Sequence, residues 1–193
     1  QSGGPDRSFD LAAAYPEREL HRFTYRGEWR SVDPEPVIPR LERVRIAEGD
    51  RLHGRTTVGV PDGVSHYTVR LEVGDRSPVV RTVESVDDEA EVDWTIESGT
   101  VALDGPTGES IRLAHHDRVD LFVRLVEPDG STLTYHQSMD VRSADGNVSV
   151  VWPPERRVCR LTDRCGTAGT YLPEHPDEFI DGVSFEVALE GQR

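Results

Sequence analysis

Apolar and polar side chains alternate with a period of two residues through most of this chain. The alternation is clearest in three segments, which start at Tyr67, Val119 and Val183 and place an apolar residue at every second position. This pattern is typical of a β-strand that has one buried and one solvated face. Strands of a parallel sheet would read as continuous apolar runs joined by long helical crossovers, and the chain lacks both. The pattern therefore predicts antiparallel strands.

Turn-forming residues separate these strands at short intervals, as in the connections of an all-β domain. The fold class that we predict is an all-β antiparallel β-sandwich, immunoglobulin-like or jelly-roll-like, with little helix. The predicted turns are Pro61-Asp62-Gly63, Gly74-Asp75, Asp104-Gly105-Pro106, Pro128-Asp129-Gly130, Asp145-Gly146 and Asp181-Gly182.

The turn at 128–130 predicts one long hairpin, made of residues 119–127 and 131–141. A weak internal repeat accompanies it, because the strand at 67–71 resembles the strand at 121–125 and each leads to a segment that ends in a tryptophan. We interpret residues 64–97 and 118–152 as two tandem three-stranded meanders. Two arrangements remain open: the meanders form the halves of one sandwich, or each belongs to a separate immunoglobulin-like unit.

The domain organisation predicted from this pattern is a leader over residues 1–18 and a β-sandwich domain over residues 19–193. The leader is expected to be flexible and to contain a short helical turn through 11–14, with Ser8 as its N-cap and Pro16 as its stop.

Two segments near prolines have predictions of their own. A short helix is expected over 177–180, after Pro176 and before Gly182. The stretch 32–39 contains three prolines and is expected to be extended and to lie on the surface.

The charge composition indicates the solvent to which this predicted sandwich is adapted. The formal net charge is -14, from 36 Asp plus Glu and 22 basic residues, and every basic residue is arginine. Such a chain repels itself at low ionic strength, and concentrated salt screens the repulsion. Arginine is also more weakly hydrated than lysine and binds carboxylates through two nitrogens. We interpret the composition as that of a halophilic microbe; the alternative is a GC-rich genome that replaces lysine codons.

The same charge disfavours nucleic acid as a partner, since binding to phosphates requires a basic stripe and the arginines are scattered among acids. Anionic membranes are disfavoured for the same reason. The sequence also has no transmembrane segment, because no stretch approaches the ~18 consecutive apolar residues that span a bilayer.

Three local features indicate a location outside the cytosol. Cys159 and Cys165 are the only cysteines, and we predict a disulfide between them, with two free buried thiols as the alternative. Asn147 opens an Asn-Val-Ser glycosylation pattern just after a tight turn, so we expect an exposed acceptor. The chain starts at Gln1, which suggests either the stretch that follows the lipid-bearing cysteine of a lipoprotein or a cloning remnant. The predicted localisation is extracellular, at the cell surface.

Candidate chemistry is sparse. His115, His116 and Asp117 are weak candidates for a metal site if they lie in a loop; solvated loop histidines are the alternative. No glycine-rich phosphate loop and no nucleophile-elbow motif occur, so we expect no cofactor and no catalytic residue.

The function predicted from these observations is that of an exported, non-catalytic structural or interaction module of the cell envelope, which binds a surface protein or a glycan. One alternative is a subunit of an extracellular filament or virion shell, which self-assembles through an exposed sheet edge. The other is a secreted hydrolase with carboxylates and histidines in a cleft. It requires that His115, His116 and carboxylates converge in one concave pocket.

Overall fold

The structure is a computed structural model that describes residues 6–27, 37–84, 87–105, 108–162, 164–174 and 182–192. These residues form one α-helix, thirteen β-strands and one short 3-10 helix. In chain order they are α1 (Asp6–Ala14), β1 (Leu20–Arg26), β2 (Ile38–Gly49), β3 (Arg51–Gly59), β4 (Tyr67–Val73), β5 (Val79–Val83), β6 (Glu89–Glu97), β7 (Thr100–Leu103), β8 (Ser110–Arg112), β9 (His116–Val126), β10 (Thr132–Ala144), β11 (Asn147–Trp152), β12 (Glu155–Arg160), the 3-10 helix Thr167–Gly169 and β13 (Phe185–Gln192).

The strands form two antiparallel sheets that pack face to face, which confirms the predicted all-β antiparallel sandwich. The larger sheet has eight strands in the order β1-β2-β11-β10-β9-β4-β5, with β12 paired to β10 beside this path. The smaller sheet has the order β13-β3-β6-β7-β8. Trp94, Tyr135 and Phe185 are the bulkiest fully buried side chains between them.

The predicted hairpin at 128–130 is confirmed. β9 and β10 pair from Val126 opposite Thr132 to His116 opposite Arg142. β4 also has the bounds that its alternation predicts, while β13 begins at Phe185, two residues later than predicted. Long regular alternation was thus sufficient to place these strands.

The two predicted meanders differ in outcome. β9, β10 and β11 are paired in that order, so residues 118–152 contain a three-stranded meander. Residues 64–97 do not, because β6 leaves β5 and pairs with β3 in the other sheet. β4 instead pairs with β9, so the strands of the two proposed units share one sheet. Alternation identifies the buried face of each strand, but it does not specify the neighbouring strand.

One side of β10 pairs with two different strands. Residues 141–144 of β10 pair with β11, and residues 133–138 pair with β12. The chain passes from the first partner to the second at Trp152-Pro153, a cis peptide bond. This switch places β12, and the cysteine loop that follows it, at the opposite end of β10 from the β10–β11 turn.

The N-terminal helix is longer than the predicted turn. α1 spans Asp6–Ala14, so Ser8 lies within the helix and is not its N-cap; its hydroxyl lies 3.4 Å from Asp140 Oδ2 instead. The helix ends two residues before Pro16, as the sequence predicted. Phe9 is 2% exposed and stacks on His116 at 5.8 Å, so α1 is packed against the sandwich.

Two other predictions fall wholly or partly outside the described residues. The expected helix at 177–180 lies outside them, as does most of the extended stretch 32–39. Its last two residues, Ile38 and Pro39, begin β2 and are extended. Within the described residues no helix is long and apolar enough to cross a membrane.

A short chain of polar side chains connects the two sheets through the core. Trp94 Nε1–H donates to Thr56 Oγ1 at 3.0 Å, and the Thr56 hydroxyl donates to Gln137 Oε1 at 2.8 Å. Thr56 belongs to β3 and Gln137 to β10, and their exposures are 1% and 0%. Gly54 makes room for the indole, because a Cβ at that position would lie 2.1 Å from Trp94 Cζ2. These hydrogen bonds satisfy polar groups that water does not reach.

Candidate functional site

The two predicted histidine ligands are neighbours, but the predicted carboxylate is engaged elsewhere. The rings of His115 and His116 lie 4.3 Å apart. His115 Nδ1 donates to the Ser143 carbonyl at 3.1 Å, while Asp117 accepts from Arg76 Nη1 at 2.9 Å. Across the part of the chain that the structure describes, no group of three or more His, Cys, Asp or Glu residues could hold a metal ion.

The predicted glycosylation acceptor lies at the tip of a hairpin. Asp145 and Gly146 both have positive φ angles, 51° and 82°, and Ala144 is paired with Asn147 across them. This is the two-residue turn that Asp-Gly favours. Asn147 is exposed, as predicted, and Ser149 of the same pattern is buried and donates to Glu48 Oε1 at 3.1 Å.

The two cysteines close a small loop over the outer face of the eight-stranded sheet. Their sulfur atoms lie at disulfide distance, 1.99 Å apart. Several hydrogen bonds hold the loop to the sheet; for example, Thr134 Oγ1 donates to the Thr162 carbonyl at 3.0 Å, and Arg157 Nη1 donates to the Cys165 carbonyl at 3.1 Å. The loop therefore forms a wall above the surface of β9 and β10.

Beside this wall lies a groove of about 580 Å³ on the outer face of the sheet. Its floor is formed by outward-facing residues of β4, β5, β9 and β10, and its wall by the cysteine loop. The lining residues are Thr68, Arg70, Glu72, Val80, Phe122, Arg124, Thr134, Thr162 and Arg164. Strand register explains the floor, since Val80, Arg70 and Phe122 are direct cross-strand neighbours. Thr68, Arg124 and Thr134 form the adjacent row.

One of the lining residues is a carboxylate held by two guanidinium groups. Glu72, whose side chain is 9% exposed, lies 2.5 Å from Arg70 Nε through one oxygen and 2.5 Å from Arg164 Nη2 through the other. Charge-assisted hydrogen bonds of this kind are among the stronger ones in proteins. Arg164 is 92 residues from Glu72 in the sequence, so this contact fixes the loop to β4.

An aromatic ring supports the same arginine. The guanidinium of Arg164 lies over the Phe122 ring at 5.6 Å, and His136 stacks on Phe122 at 4.3 Å with an angle of 16° between the planes. Phe122 is 5% exposed. The cation–π contact with Phe122 helps to hold the Arg164 guanidinium in place.

The described lining of the groove has the opposite charge balance from the chain. Of the residues that the structure describes, three arginines and one glutamate line it, whereas the whole chain has a formal net charge of -14. The sequence did not reveal this site. Arg70 and Arg124 occupy ordinary solvent-facing positions of alternating strands, and only the cysteine spacing indicated that residues near Arg164 fold back on themselves.

On the same face as the groove floor, opposite Phe122 on the neighbouring strand, His136 contacts Asp120. His136 Nε2 lies 2.9 Å from Asp120 Oδ1. Burial raises the pKa of Asp120, but hydrogen bonds from His136 and Ser138 outweigh it, so the pKa lies below its ordinary value of 3.8. Among the described residues the other ring nitrogen of His136 is buried without a hydrogen-bond partner. No substrate could reach that nitrogen, so the pair is not arranged as a catalytic dyad.

A second histidine on the opposite face resembles part of a catalytic triad. His53 Nδ1 lies 3.1 Å from Asp104 Oδ2 and 3.3 Å from Thr95 Oγ1, and the Thr95 hydroxyl donates to Asp104 at 2.9 Å. In a triad the two ring nitrogens contact the nucleophile and the acid separately. Here Nδ1 of His53 contacts both the Thr95 hydroxyl and the Asp104 carboxylate, and the Thr95 hydroxyl donates to Asp104 rather than to His53. These three residues are therefore not arranged as a catalytic triad.

The hydrolase alternative requires His115, His116 and carboxylates in one concave pocket, and although the two rings are adjacent, the described residues do not place both in one pocket. His115 lines a shallow depression with Glu48 and Asp145, whereas His116 stacks on Phe9 of α1. In the arginine-lined groove, Glu72 is the one carboxylate among the lining residues that the structure describes, and both of its oxygens are held by arginine.

A comparison with protein families matches residues 2–139 to a model described as a domain of unknown function, DUF7846. The match covers more than half of the chain. The chain belongs to the DUF7846 family. No curated protein and no solved structure matches it.

The end of the family match divides the groove. Residue 139 lies within β10, so Arg70, Glu72 and Phe122 fall inside the matched segment. Arg164 and the cysteine loop that carries it fall outside it. The floor of the groove thus belongs to the DUF7846 region, and the wall is formed by the sequence that follows.

Proposed function

We propose that this DUF7846 protein is an exported, non-catalytic interaction module of the cell envelope of a halophilic microbe. It binds a partner at the cell surface through the arginine-lined groove. The observation that carries the proposal is the pair of guanidinium groups held on Glu72, because it builds an ordered cationic site into a strongly acidic chain.

Two features support the location. Cysteines at disulfide distance are typical of proteins from oxidising compartments, and Cys159 and Cys165 are the only cysteines of the chain. Asn147 is exposed on a hairpin tip, where a glycan could be attached without disturbing the core.

The arginines on the smaller sheet support the saline setting. Arg55 pairs with Asp93 through two nitrogens, at 2.7 and 3.1 Å, and Arg51 pairs with Glu97 on the same pair of strands. In each pair a guanidinium group binds a carboxylate on the neighbouring strand, with a forked geometry that lysine lacks. An acidic surface with such pairs suits a solvent in which long-range repulsion is screened.

Export is tested by protease treatment of intact cells. The full-length gene product is produced in a halophilic host, and cells are treated with trypsin before and after lysis. We expect cleavage in intact cells, while a cytosolic control protein is cut only after lysis. Mass spectrometry without reductant should find Cys159 linked to Cys165. Complete protection in intact cells, or two alkylatable thiols, would contradict the proposed location.

The saline setting has a separate test. The midpoint temperature of thermal unfolding should rise as NaCl increases from 0.1 to 2 M, because salt screens repulsion among the carboxylates. A midpoint that stays flat across this range would argue against adaptation to brine.

A second candidate function is self-assembly, and a bare apolar surface favours it. Phe23 and Leu41 are direct cross-strand neighbours on β1 and β2, and they are 62% and 69% exposed. By alternation along β2, Leu41 shares its face with Ala47, which is in the core. β1 is also the end strand of its sheet, so its outer edge could accept another strand.

Analytical ultracentrifugation in 2 M NaCl distinguishes this candidate from a monomeric module. Assembly through β1 predicts oligomers that dissociate on Leu41→Asp. The matched control is Leu161→Asp, since Leu161 is 78% exposed and lies in the cysteine loop. A uniform monomer would argue against self-assembly.

A further inference from the structure

We propose that the groove binds a carboxylate-bearing saccharide, of the kind present in uronic acid polymers. This inference rests on the proposed role of the groove as an interaction site, and it specifies the chemical class of the ligand.

The first step concerns the donors that remain on the two arginines. A guanidinium group has five N–H donors. Glu72 engages Nε of Arg70 and Nη2 of Arg164. Among the described residues, Glu72 is the one carboxylate within 4.0 Å of either guanidinium group. Further N–H groups on both side chains can therefore bind a second anion, and their forked geometry matches a planar carboxylate.

The second step concerns what else the groove offers. Its volume of about 580 Å³ is within the range of roughly 300–1,000 Å³ that small-molecule sites occupy, so it holds more than a single ion. Thr68 provides a hydroxyl group, which can both donate and accept hydrogen bonds, whereas the Thr162 hydroxyl is already bonded to the backbone of Arg164. Val80 is 51% exposed and adds an apolar surface. A sugar acid has the matching groups: a carboxylate, several hydroxyls and an apolar C–H face.

The third step favours a saccharide over a peptide. The floor of the groove is formed mainly by β4, β9 and β10, which are interior strands of the sheet. Their backbone groups are paired with neighbouring strands, so a peptide could not add as a further strand there. Recognition on this face therefore depends on side chains, and these side chains offer cation, hydroxyl and apolar contacts.

We expect the groove to bind an anionic ligand in concentrated salt as well. Screening at ~1 M salt reduces the Debye length to ~3 Å, which weakens distant attraction but largely spares groups in direct contact. Arg70 and Arg164 are already held in place by Glu72, so less side-chain entropy is lost when a ligand binds.

The experiment is a titration of the folded protein in 2 M NaCl with a galacturonic acid trimer, followed by nuclear magnetic resonance. A neutral galactose trimer serves as the uncharged probe. We expect saturable shifts of arginine Nε–H signals with the acidic trimer and no saturable shift with the neutral one. Arg164→Gln, which removes one of the two guanidinium groups held on Glu72, should weaken binding by about tenfold, equivalent to roughly 1.4 kcal/mol. The Arg164 side chain is 66% exposed in the groove wall, so the substitution does not disturb the core.

The matched control is Arg55→Gln, which removes a paired arginine from the outer face of the other sheet. It should leave the affinity unchanged. Equal binding of the two trimers, or equal loss of affinity in the two variants, would overturn the proposal. Complete displacement of the trimer by 20 mM sulfate would reduce the site to a simple anion site and would also overturn it. Because export is measured separately in cells, a failed titration of an exported protein refutes the ligand class and leaves the location intact.

Discussion

The hydrogen-bonded chain through the core makes the sharpest prediction about stability. Replacing Thr56 by valine removes one hydroxyl and keeps a side chain of similar shape. That hydroxyl accepts from Trp94 Nε1 at 3.0 Å and donates to Gln137 at 2.8 Å. All three residues are at most 1% exposed, so water cannot replace the lost partner. The substitution leaves one buried donor and one buried acceptor unsatisfied.

The expected loss of stability follows from these two groups. A buried polar group without a partner costs about 1–3 kcal/mol, so Thr56→Val, which leaves two such groups, should lower the free energy of unfolding by roughly 2–6 kcal/mol. That is a large share of the ~5–15 kcal/mol by which a typical domain is stable. The matched control is Thr57→Val, the next residue of β3, whose side chain faces outward and is part-exposed. Its effect should stay within ~0.5 kcal/mol.

Urea unfolding at fixed pH in 2 M NaCl, followed by tryptophan fluorescence, measures the difference. Gln137→Leu in the Thr56→Val background tests the mechanism, because it removes the orphaned acceptor. The double variant should lose less stability than the sum of the two single variants. If Thr56→Val costs no more than Thr57→Val, or if the double variant is strictly additive, the buried chain does not join the sheets as described.

Two further outcomes concern the cysteine loop and Asp120. Replacing both Cys159 and Cys165 by alanine should lower the free energy of unfolding by about 2 kcal/mol on the chain-entropy model, measured by urea titration without reductant, and equal stability of the two proteins would refute it. The pKa of Asp120 is lowered in the folded protein, so its contribution is present above the unfolded pKa and is lost as pH falls through the folded pKa. Asp120→Asn should therefore destabilise the protein at pH 7, with a penalty that shrinks below about pH 4; a penalty independent of pH would contradict this assignment.

The sequence predicted those parts of the fold that depend on local pattern. Regular alternation gave the bounds of β4 and the hairpin of β9 and β10, because a strand with one buried face imposes a period of two on its residues. Asp145-Gly146 likewise predicted an exposed turn beside Asn147, since few residue pairs adopt positive φ at both positions. The cysteine spacing predicted a small closed loop.

Only the tertiary structure decided which strands are neighbours and where the groove lies. β6 has the same alternation whether it pairs with β5 or with β3. The predicted meander over residues 64–97 was therefore wrong, because local alternation does not specify the neighbouring strand. The groove depends on Arg164 reaching Glu72 across 92 residues of sequence. Each residue alone is an ordinary polar position of an acidic, arginine-rich chain. Their chemistry arises because sheet register and the cysteine loop bring them together, and the sequence determines that proximity only through the complete fold.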